Sequence, residues 1–222
     1  MKVLSSTAAH SLTLRELARA DLREAARLLS RGMCNNPANV RAFGIANVPR
    51  RQRALARFFV PVLHGLYRRG VVVGAFREGT LVGVCGMARP TLCQPGVLEK
   101  LSVIPSVVLA NPVSAPLGVL RWVGEWARRD PTEPHWHLGP LAVDCHLQGL
   151  GIGSAMLAAF CERMDDLRAL SYLETDKREN VRFYEKFGFG VIGEAEVAGV
   201  SCWFMSRRPN RNVSVSATKS AR

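Results

Sequence analysis

Disulfide scaffolds and small zinc modules depend on closely paired cysteines, and this 222-residue chain has no Cys-x-x-Cys spacing. Its six cysteines stand singly, at positions 34, 85, 93, 145, 161 and 202. Several lie within apolar runs, which is typical of buried, reduced thiols in a cytoplasmic protein. The chain starts with Met1-Lys2-Val3-Leu4 and continues with polar residues, so no apolar signal core forms. We therefore expect a cytoplasmic protein.

The sequence also lacks a long apolar run that is free of helix-breaking residues. Residues 101–120 carry no charge, and a run of that length can span a bilayer. The run contains Pro105, Pro112, Pro116 and Asn111, however, and these residues argue against a spanning helix. We predict instead a loop and a helix packed over the functional site, with an amphipathic helix over residues 117–129. No membrane association is expected.

Acidic residues are scarce, since 18 Asp and Glu stand against 30 Lys and Arg, for a net charge of +12. Residues 207–222 hold five of the basic residues and none of the acidic ones. We predict a flexible N-terminus over residues 1–10, one domain over 11–207 and a disordered basic tail over 208–222. No motif of interleaved aromatic and basic residues occurs, so nucleic-acid binding is not expected. A monomer and a homodimer both remain open.

A glycine loop between a strand and a helix is the most informative local feature of the chain. It reads Gln148-Gly149-Leu150-Gly151-Ile152-Gly153. Backbone N–H groups beside the positive end of a helix dipole form a phosphate site, and glycine lets the phosphate approach closely. Neither the dinucleotide fingerprint nor the nucleoside-triphosphate loop fits this spacing, and a plain strand-to-helix turn remains the alternative. In the preceding strand, Gly139 and Pro140 predict a bulge or a splay, because proline cannot donate to a sheet ladder.

A second block, residues 180–189, follows about thirty residues after the loop and predicts a short helix. Asn180 and Tyr184 are four residues apart and therefore share one helix face, while Phe183 and Phe187 share the adjacent face. One face can anchor the helix in the core while the other meets a ligand.

Together the two blocks resemble the GNAT superfamily of N-acetyltransferases. The superfamily loop pattern Gln/Arg-x-x-Gly-x-Gly/Ala is matched by Gln148, Gly151 and Gly153. The second superfamily motif is matched by Asn180, Phe183, Tyr184, Gly188 and Phe189. Residues 134–207, a third of the chain, are also similar to the group that contains puromycin N-acetyltransferase. The resemblance implies a single α/β (α+β) domain with a mixed, mostly antiparallel sheet of about seven strands, flanked by helices and with splayed central strands.

The resemblance implies acetyl-CoA as the co-substrate and assigns residue roles. Backbone N–H groups of the loop would hold the pyrophosphate, strand residues 141–143 would pair with the pantetheine arm, and Asn180 would hydrogen-bond the coenzyme. The implied coenzyme-binding residues are Leu141, Ala142, Val143, Gln148, Gly149, Leu150, Gly151, Gly153, Ser154 and Asn180. Tyr184 would be the general acid that protonates the leaving thiolate. The alternative is a purely structural role, in which an amphipathic tyrosine caps the core helix.

The candidate base is Glu174, a carboxylate within an apolar strand, where acidic residues are rarely buried unless paired. It would take the amine proton directly or through water, or only bind the ammonium charge; a structural hydrogen bond is the alternative. His135 and His137 alternate along a strand and point to one face, so His137 is a possible proton relay. The alternative for His137 is a partly exposed strand residue. No metal is expected, because no further ligand stands at metal spacing.

The first half predicts a strand over residues 12–17, helices over 21–31 and 51–69, and a hairpin over 71–87. By the resemblance, residues 32–49 and the insertion before the fourth strand form the acceptor pocket. The leading hypothesis is direct transfer from acetyl-CoA to a primary amine of a small molecule, such as an antibiotic or a metabolite, with a puromycin-like aminonucleoside as one candidate. The alternatives are an acetyltransferase acting on proteins or peptides, and a non-catalytic acetyl-CoA sensor.

Overall fold

The computed structural model describes residues 12–111 and 115–210. The predicted flexible N-terminus and most of the predicted tail, residues 211–222, lie outside the described residues. Arg207, the first of the five basic residues counted toward that tail, is not a tail residue. It ends the last strand of the sheet, and its side chain is mostly buried against Asp165.

The described residues form seven strands and seven α-helices in the order β-α-α-α-β-β-α-α-β-α-β-α-β-β. The strands are β1 (Leu12–Glu16), β2 (Gly70–Arg77), β3 (Thr80–Ala88), β4 (His135–Val143), β5 (Leu170–Thr175), β6 (Gly190–Val197) and β7 (Val200–Arg207). The helices are α1 (Leu22–Gly32), α2 (Pro37–Phe43), α3 (Val48–Arg69), α4 (Val97–Ala110), α5 (Ala115–Ala127), α6 (Ile152–Asp166) and α7 (Arg178–Glu185).

The seven strands make one open sheet in the order β1-β2-β3-β4-β5-β7-β6. Every neighbouring pair is antiparallel except β4 and β5, which run parallel. The parallel pair is short: it starts at His135 opposite Leu170 and ends at His137 opposite Tyr172. Beyond that rung the two strands diverge, which confirms the expected fold class and its splayed central strands.

The bulge expected at Gly139 and Pro140 is present in β4. On β3, Cys85 stands opposite Leu141 and Met87 opposite Leu138, so Gly86 alone faces both residues of the bulge. A side chain at Gly86 would not fit, because its Cβ would lie 2.8 Å from the Gly139 carbonyl oxygen. The bulge bends β4 away from β5 at the level where the parallel pairing stops.

Apolar side chains form a core on each face of the sheet. One cluster holds α1, α3 and parts of α4 and α5, and the other holds α6, α7 and residues of β4 and β5. In α6, Leu157, Phe160, Cys161 and Met164 are all buried, as the helical spacing predicts. All six cysteines are free thiols, and Cys145 is the exposed one.

The uncharged run at residues 101–120 forms two helices rather than a loop and a helix. Helix α4 starts at Val97 and continues past Pro105, and α5 starts at Ala115, so the prediction of a loop was wrong. Apolar residues occur all around α4, and Leu98 and Leu109 are exposed, so the sequence carries no amphipathic signal there. Among the described helices, none combines the length and apolarity needed to cross a bilayer.

Candidate acetyl-transfer site

The divergence of β4 and β5 opens a cavity of about 480 Å³. Its base is formed by β4, β5 and α7, with Glu174, Asn180 and Tyr184 among the lining residues. The helices α3, α4 and α5 and the start of α2 supply the other walls. The two segments expected to form an acceptor pocket, residues 32–49 and the insertion before β4, both contribute to the lining.

The glycine loop has the backbone geometry that its sequence requires. Gly149 and Gly151 have φ of 81° and 80°, the left-handed region that other residues enter at a cost. Helix α6 starts at Ile152, and its first backbone bond runs from the Ala155 N–H to the Gly151 carbonyl. The N–H groups of Ile152 to Ser154 therefore have no partner within the helix. They form the positive end of a 15-residue helix.

Gly153 differs from the other loop glycines because its backbone does not demand glycine. Its φ is not positive, and a Cβ built there would meet only ordinary contacts, at 3.6 Å to Val143 and 3.8 Å to Phe183. A methyl group at Gly153 would thus be accommodated without a clash. A glycine at such a place fits a cradle whose ligand approaches the backbone closely.

The strand and the loop around this cradle are tied down by side chains. The Gln148 amide donates to the Val143 carbonyl at 3.3 Å. Asp144 accepts from Arg31 at 2.6 and 2.9 Å, and this pair lowers the pKa of the Asp144 carboxyl although burial opposes the shift. Leu150 is 56% exposed and points away from the core.

Asn180 and Tyr184 lie on one face of α7 and both line the cavity, as their spacing predicts. The Asn180 amide nitrogen donates to the Thr175 hydroxyl at 3.1 Å, which orients the amide. Tyr184 is buried, and its ring packs against Phe189 with centroids 5.9 Å apart. Burial, with nearby acidic groups, raises the pKa of the Tyr184 hydroxyl above its ordinary value, so it stays protonated.

Glu174 and His137 form a close pair at the start of the splay. The His137 Nε2 lies 2.8 Å from the Glu174 Oε2, and the Glu174 side chain is 3% exposed. Burial by itself lowers the pKa of His137, but the charge of Glu174, with hydrogen bonds and Asp130, raises it to about 10. His137 is thus paired with Glu174 while 18% of its side chain remains exposed, so the proton relay and the partly exposed strand histidine both stay predictions.

A cluster that the sequence did not reveal surrounds His137. Cys93, His135 and His137 each bring one ligand atom within 4.8 Å of the others, and Asp130, His137 and Glu174 do the same. Burial raises the pKa of the Cys93 thiol, but the neighbouring imidazoles of His135 and His137 outweigh it and lower the pKa to about 7. A search for ligands at close sequence spacing missed the cluster, since Cys93 lies 42 residues before His135.

Asp176, just beyond the end of β5, is a further cavity residue that sequence reasoning missed. Its carboxylate accepts from the Ala38 N–H at 2.7 Å and so caps the start of α2. Burial raises the pKa of Asp176 above its ordinary value, although the Ala38 hydrogen bond opposes the shift. An acidic residue after an apolar strand was the available signal; that it lies against α2 is a matter of tertiary packing.

Comparisons with known proteins identify the family of the chain. A family model described as the acetyltransferase (GNAT) family matches residues 46–189, well over half of the chain. The chain belongs to the GNAT acetyltransferase family. Members of this family are N-acetyltransferases, so this GNAT chain is an acyltransferase, as its sequence resemblance implied. The more specific resemblance to the puromycin N-acetyltransferase group stays a prediction.

Solved structures show the same GNAT fold at low identity. A Corynebacterium glutamicum protein, described as histone acetyltransferase HPA2 and related acetyltransferase, has a TM-score of 0.69 at 22% identity, over 92% of this chain and 99% of its own. The ribosomal-protein-S18-alanine N-acetyltransferase of Escherichia coli has a TM-score of 0.53 at 12% identity, and the match covers 92% of this chain and 99% of that protein. The PaiA N-acetyltransferase of Thermoplasma acidophilum, solved in complex with coenzyme A, has a TM-score of 0.53 at 14% identity, and the match covers 89% of this chain and 99% of that protein.

Proposed function

We propose that this protein transfers the acetyl group of acetyl-CoA directly to a primary amine of a small molecule, with both substrates bound at once. The observation that carries the proposal is the position of the splay. The unpaired edge of β4, the face of α7 with Asn180 and Tyr184, and the Glu174–His137 pair all border one cavity. A donor lying along β4 and an acceptor entering from α4 and α5 would therefore meet beside Glu174 and Tyr184.

The donor side fits coenzyme A. The free N–H groups of the first turn of α6 suit a pyrophosphate, and the lack of a side chain at Gly153 lets it approach the backbone. Residues 141–143 of β4 pair with β3 and have no strand on their other side, which leaves backbone groups for a pantetheine arm. Asn180 would then form a hydrogen bond with that arm, as donor or as acceptor. The coenzyme-bound structure of the Thermoplasma acidophilum relative supports this assignment.

The residues of the site divide the proton transfers between them. Acetyl-CoA supplies an activated acyl carbon and a thiolate leaving group. Glu174 takes the proton of the bound ammonium and later releases it to solvent, and the neutral amine forms the new C–N bond as the C–S bond breaks. The second proton that the nitrogen then loses passes to the Tyr184 oxygen, which has given its own proton to the sulfur. A backbone N–H of residues 141–143 stabilises the carbonyl oxygen. Tyr184, kept protonated by burial, donates its hydroxyl proton toward the departing sulfur.

The acceptor side favours a small molecule with an apolar body and a cationic amine. Phe58, Val103 and Trp122 stand in the cavity wall, and the carboxylates of Glu174 and Asp176 stand at its base. A volume of about 480 Å³ lies in the range of cavities that hold drug-sized ligands. An aminonucleoside of the puromycin type has the required amine and aromatic body, and is one candidate among such molecules.

The test is calorimetric binding of acetyl-CoA followed by thiol release with a panel of amines. The panel includes puromycin, simple aromatic amines, and a peptide with N-terminal alanine, the residue named for the Escherichia coli relative. Binding with turnover on a small amine supports the proposal. Turnover on the peptide alone would replace it with protein acetylation, and binding without turnover on any acceptor would favour a sensor. An acetylated enzyme detected by mass spectrometry without an acceptor would contradict direct transfer.

A further inference from the structure

The two histidines of β4 each have one nitrogen anchored and the other left free. The His135 Nδ1 lies 2.9 Å from the Glu133 carbonyl oxygen, and the His137 Nε2 lies 2.8 Å from the Glu174 carboxylate. Because each anchored nitrogen donates its proton, the other nitrogen of each ring is the one that can present a lone pair to a metal ion. The His135 Nε2 and the His137 Nδ1 are both buried and have no hydrogen-bond partner among the described residues.

Two further ligand atoms face this pair of free nitrogens. The Cys93 sulfur and one ring nitrogen of each histidine all lie within 4.8 Å of one another. The Asp130 Oδ1 is also buried without a partner among the described residues and lies 3.9 Å from the His137 Nδ1. The other Asp130 oxygen accepts from the Gln94 amide, which turns Oδ1 toward the histidines.

Unpaired buried polar atoms are costly, and three of them in one cluster require a reason. His135 is 4% exposed, so water does not satisfy its free nitrogen by surface contact. We propose that Cys93, His135, His137 and Asp130 bind a zinc ion. Zinc takes four ligands of this chemistry in tetrahedral geometry, and its histidine ligands characteristically donate their second N–H to a carbonyl or a carboxylate. Glu133 and Glu174 provide such partners here.

The ligand atoms would have to move slightly closer together to coordinate one zinc ion. Zinc at about 2.3 Å from sulfur and about 2.1 Å from nitrogen sets its ligand atoms roughly 3.5 Å apart. The separations of up to 4.8 Å among Cys93, His135 and His137, and the 3.9 Å from the Asp130 Oδ1 to the His137 Nδ1, would have to shorten, which we expect from rotations of the Cys93 and Asp130 side chains. Cys93 now donates weakly to the Arg89 and His135 carbonyls at 3.6 and 3.5 Å, and loss of the thiol proton on binding would release these contacts.

The ion would join parts of the chain that are far apart in sequence. Cys93 lies between β3 and α4, Asp130 follows α5, and the histidines begin β4. Zinc would thus fasten both ends of the α4–α5 segment, which walls the acceptor cavity, to the sheet. It would also fix the ring of His137 with Nε2–H toward Glu174. The binding of zinc does not depend on the proposed acetyl transfer, since every ligand is positioned without either substrate.

A second triplet, Asp144, Cys145 and His146, also brings three ligand atoms within 4.8 Å. Its Cys145 and His146 are exposed, and one Asp144 oxygen is held by Arg31 at 2.6 Å. It has no buried atom without a partner, so no ligand is required to explain it. Cys145 therefore serves as a matched control for Cys93.

The test uses the full chain, stripped of metal with a chelator and titrated with Co²⁺ as a spectroscopic substitute for zinc. We expect one equivalent to bind, with intense d–d bands of tetrahedral geometry and a thiolate-to-cobalt charge-transfer band. Zn²⁺ should displace the cobalt and raise the melting temperature of the apo-protein by several degrees. Cys93→Ser should abolish the charge-transfer band, and Cys93→Ser and His135→Gln should each weaken binding at least tenfold; Cys145→Ser should keep both.

The comparison is made on variants whose metal-free circular dichroism and melting temperature match those of the parent, so that misfolding is not read as loss of the site. The proposal is overturned if Co²⁺ gives only an octahedral, weakly absorbing spectrum. It is also overturned if binding survives both Cys93→Ser and His135→Gln but is lost in Cys145→Ser, since the ion would then lie at the surface triplet. Either result can be obtained without an assay of acetyl transfer.

Discussion

His137 Nε2 lies 2.8 Å from the Oε2 of Glu174, directly where the parallel pairing of β4 and β5 ends. His137 is on the last paired rung, opposite Tyr172, and Glu174 is two residues further along β5. The carboxylate is therefore held by a residue of the sheet while it borders the cavity that the splay opens. Such a pair keeps Glu174 oriented without filling the space that a substrate amine needs.

Replacement of Tyr184 by phenylalanine should lower turnover by about 10²- to 10⁴-fold, the usual contribution of a general acid. The buried ring would keep its contacts with Phe189, so that the fold and the affinity for acetyl-CoA change little. Thiol release and calorimetry on the same samples measure both quantities. Tyr67→Phe, at an exposed position outside the cavity, is the matched control. An unchanged rate in Tyr184→Phe would remove this residue as the acid.

Glu174→Gln should lower kcat/KM for the amine by about 10²- to 10⁴-fold while acetyl-CoA still binds. The glutamine oxygen can still accept from His137, so the positioning contact is retained and the charge is lost. We expect the variant to recover activity as the pH rises toward the pKa of the acceptor amine, because solvent then removes the proton. The exposed Glu196→Gln is the control. A pH profile identical to that of the parent would exclude Glu174 as the proton acceptor.

Gly153→Ala separates ligand binding from folding. A Cβ at this position meets nothing closer than 3.6 Å, and alanine is the better helix former, so the melting temperature should hold or rise. The methyl group would instead occupy the cradle, and we expect the Kd for acetyl-CoA to rise about tenfold, or ~1.4 kcal/mol. Gly190→Ala, at a position where a built Cβ meets nothing within 4 Å, should leave both the melting temperature and the Kd for acetyl-CoA unchanged. Equal affinity in Gly153→Ala would place the pyrophosphate elsewhere.

Asp165→Asn should destabilise the fold through the loss of a two-pronged ion pair. Arg207 donates to both Asp165 oxygens at 2.7 Å, and the two side chains are 9% and 12% exposed. Removal of one partner from such a pair costs about 3 kcal/mol, which urea unfolding at neutral pH would measure. The neighbouring Asp166→Asn, at an exposed position, should change stability by at most ~0.5 kcal/mol.

The same pair predicts a dependence of stability on pH. The Arg207 hydrogen bonds lower the pKa of the folded Asp165 carboxyl below its ordinary value of 3.8. The stabilisation is therefore complete above pH 3.8 or so, and is lost as the pH falls from there through the lower folded pKa. The parent should lose its advantage over Asp165→Asn in that acidic range. A difference in stability that stayed constant down to complete protonation would contradict this origin.

Features with a local cause were predicted correctly from the sequence. The bulge at Gly139-Pro140 and the shared face of Asn180 and Tyr184 each follow from a few adjacent residues. The helices α2 and α4 were harder to predict from the sequence. Helix α2 starts with a proline and α4 has apolar residues on all its faces, so neither shows a helical periodicity. The boundaries around these two helices were accordingly missed.

The sequence by itself determined the glycine turn before α6, the shared face of Asn180 and Tyr184 on α7, and the family to which the chain belongs. Only the tertiary structure decided that Cys93 and Asp130 lie beside the two histidines, that Asp176 caps α2, and that His137 holds Glu174. The physical reason is that these contacts depend on the order of strands in the sheet and on how α4 and α5 pack over it. Cys93 and His135, His137 and Glu174, and Ala38 and Asp176 are 42, 37 and 138 residues apart, and such separations leave no periodic pattern by which the contacts can be recognised.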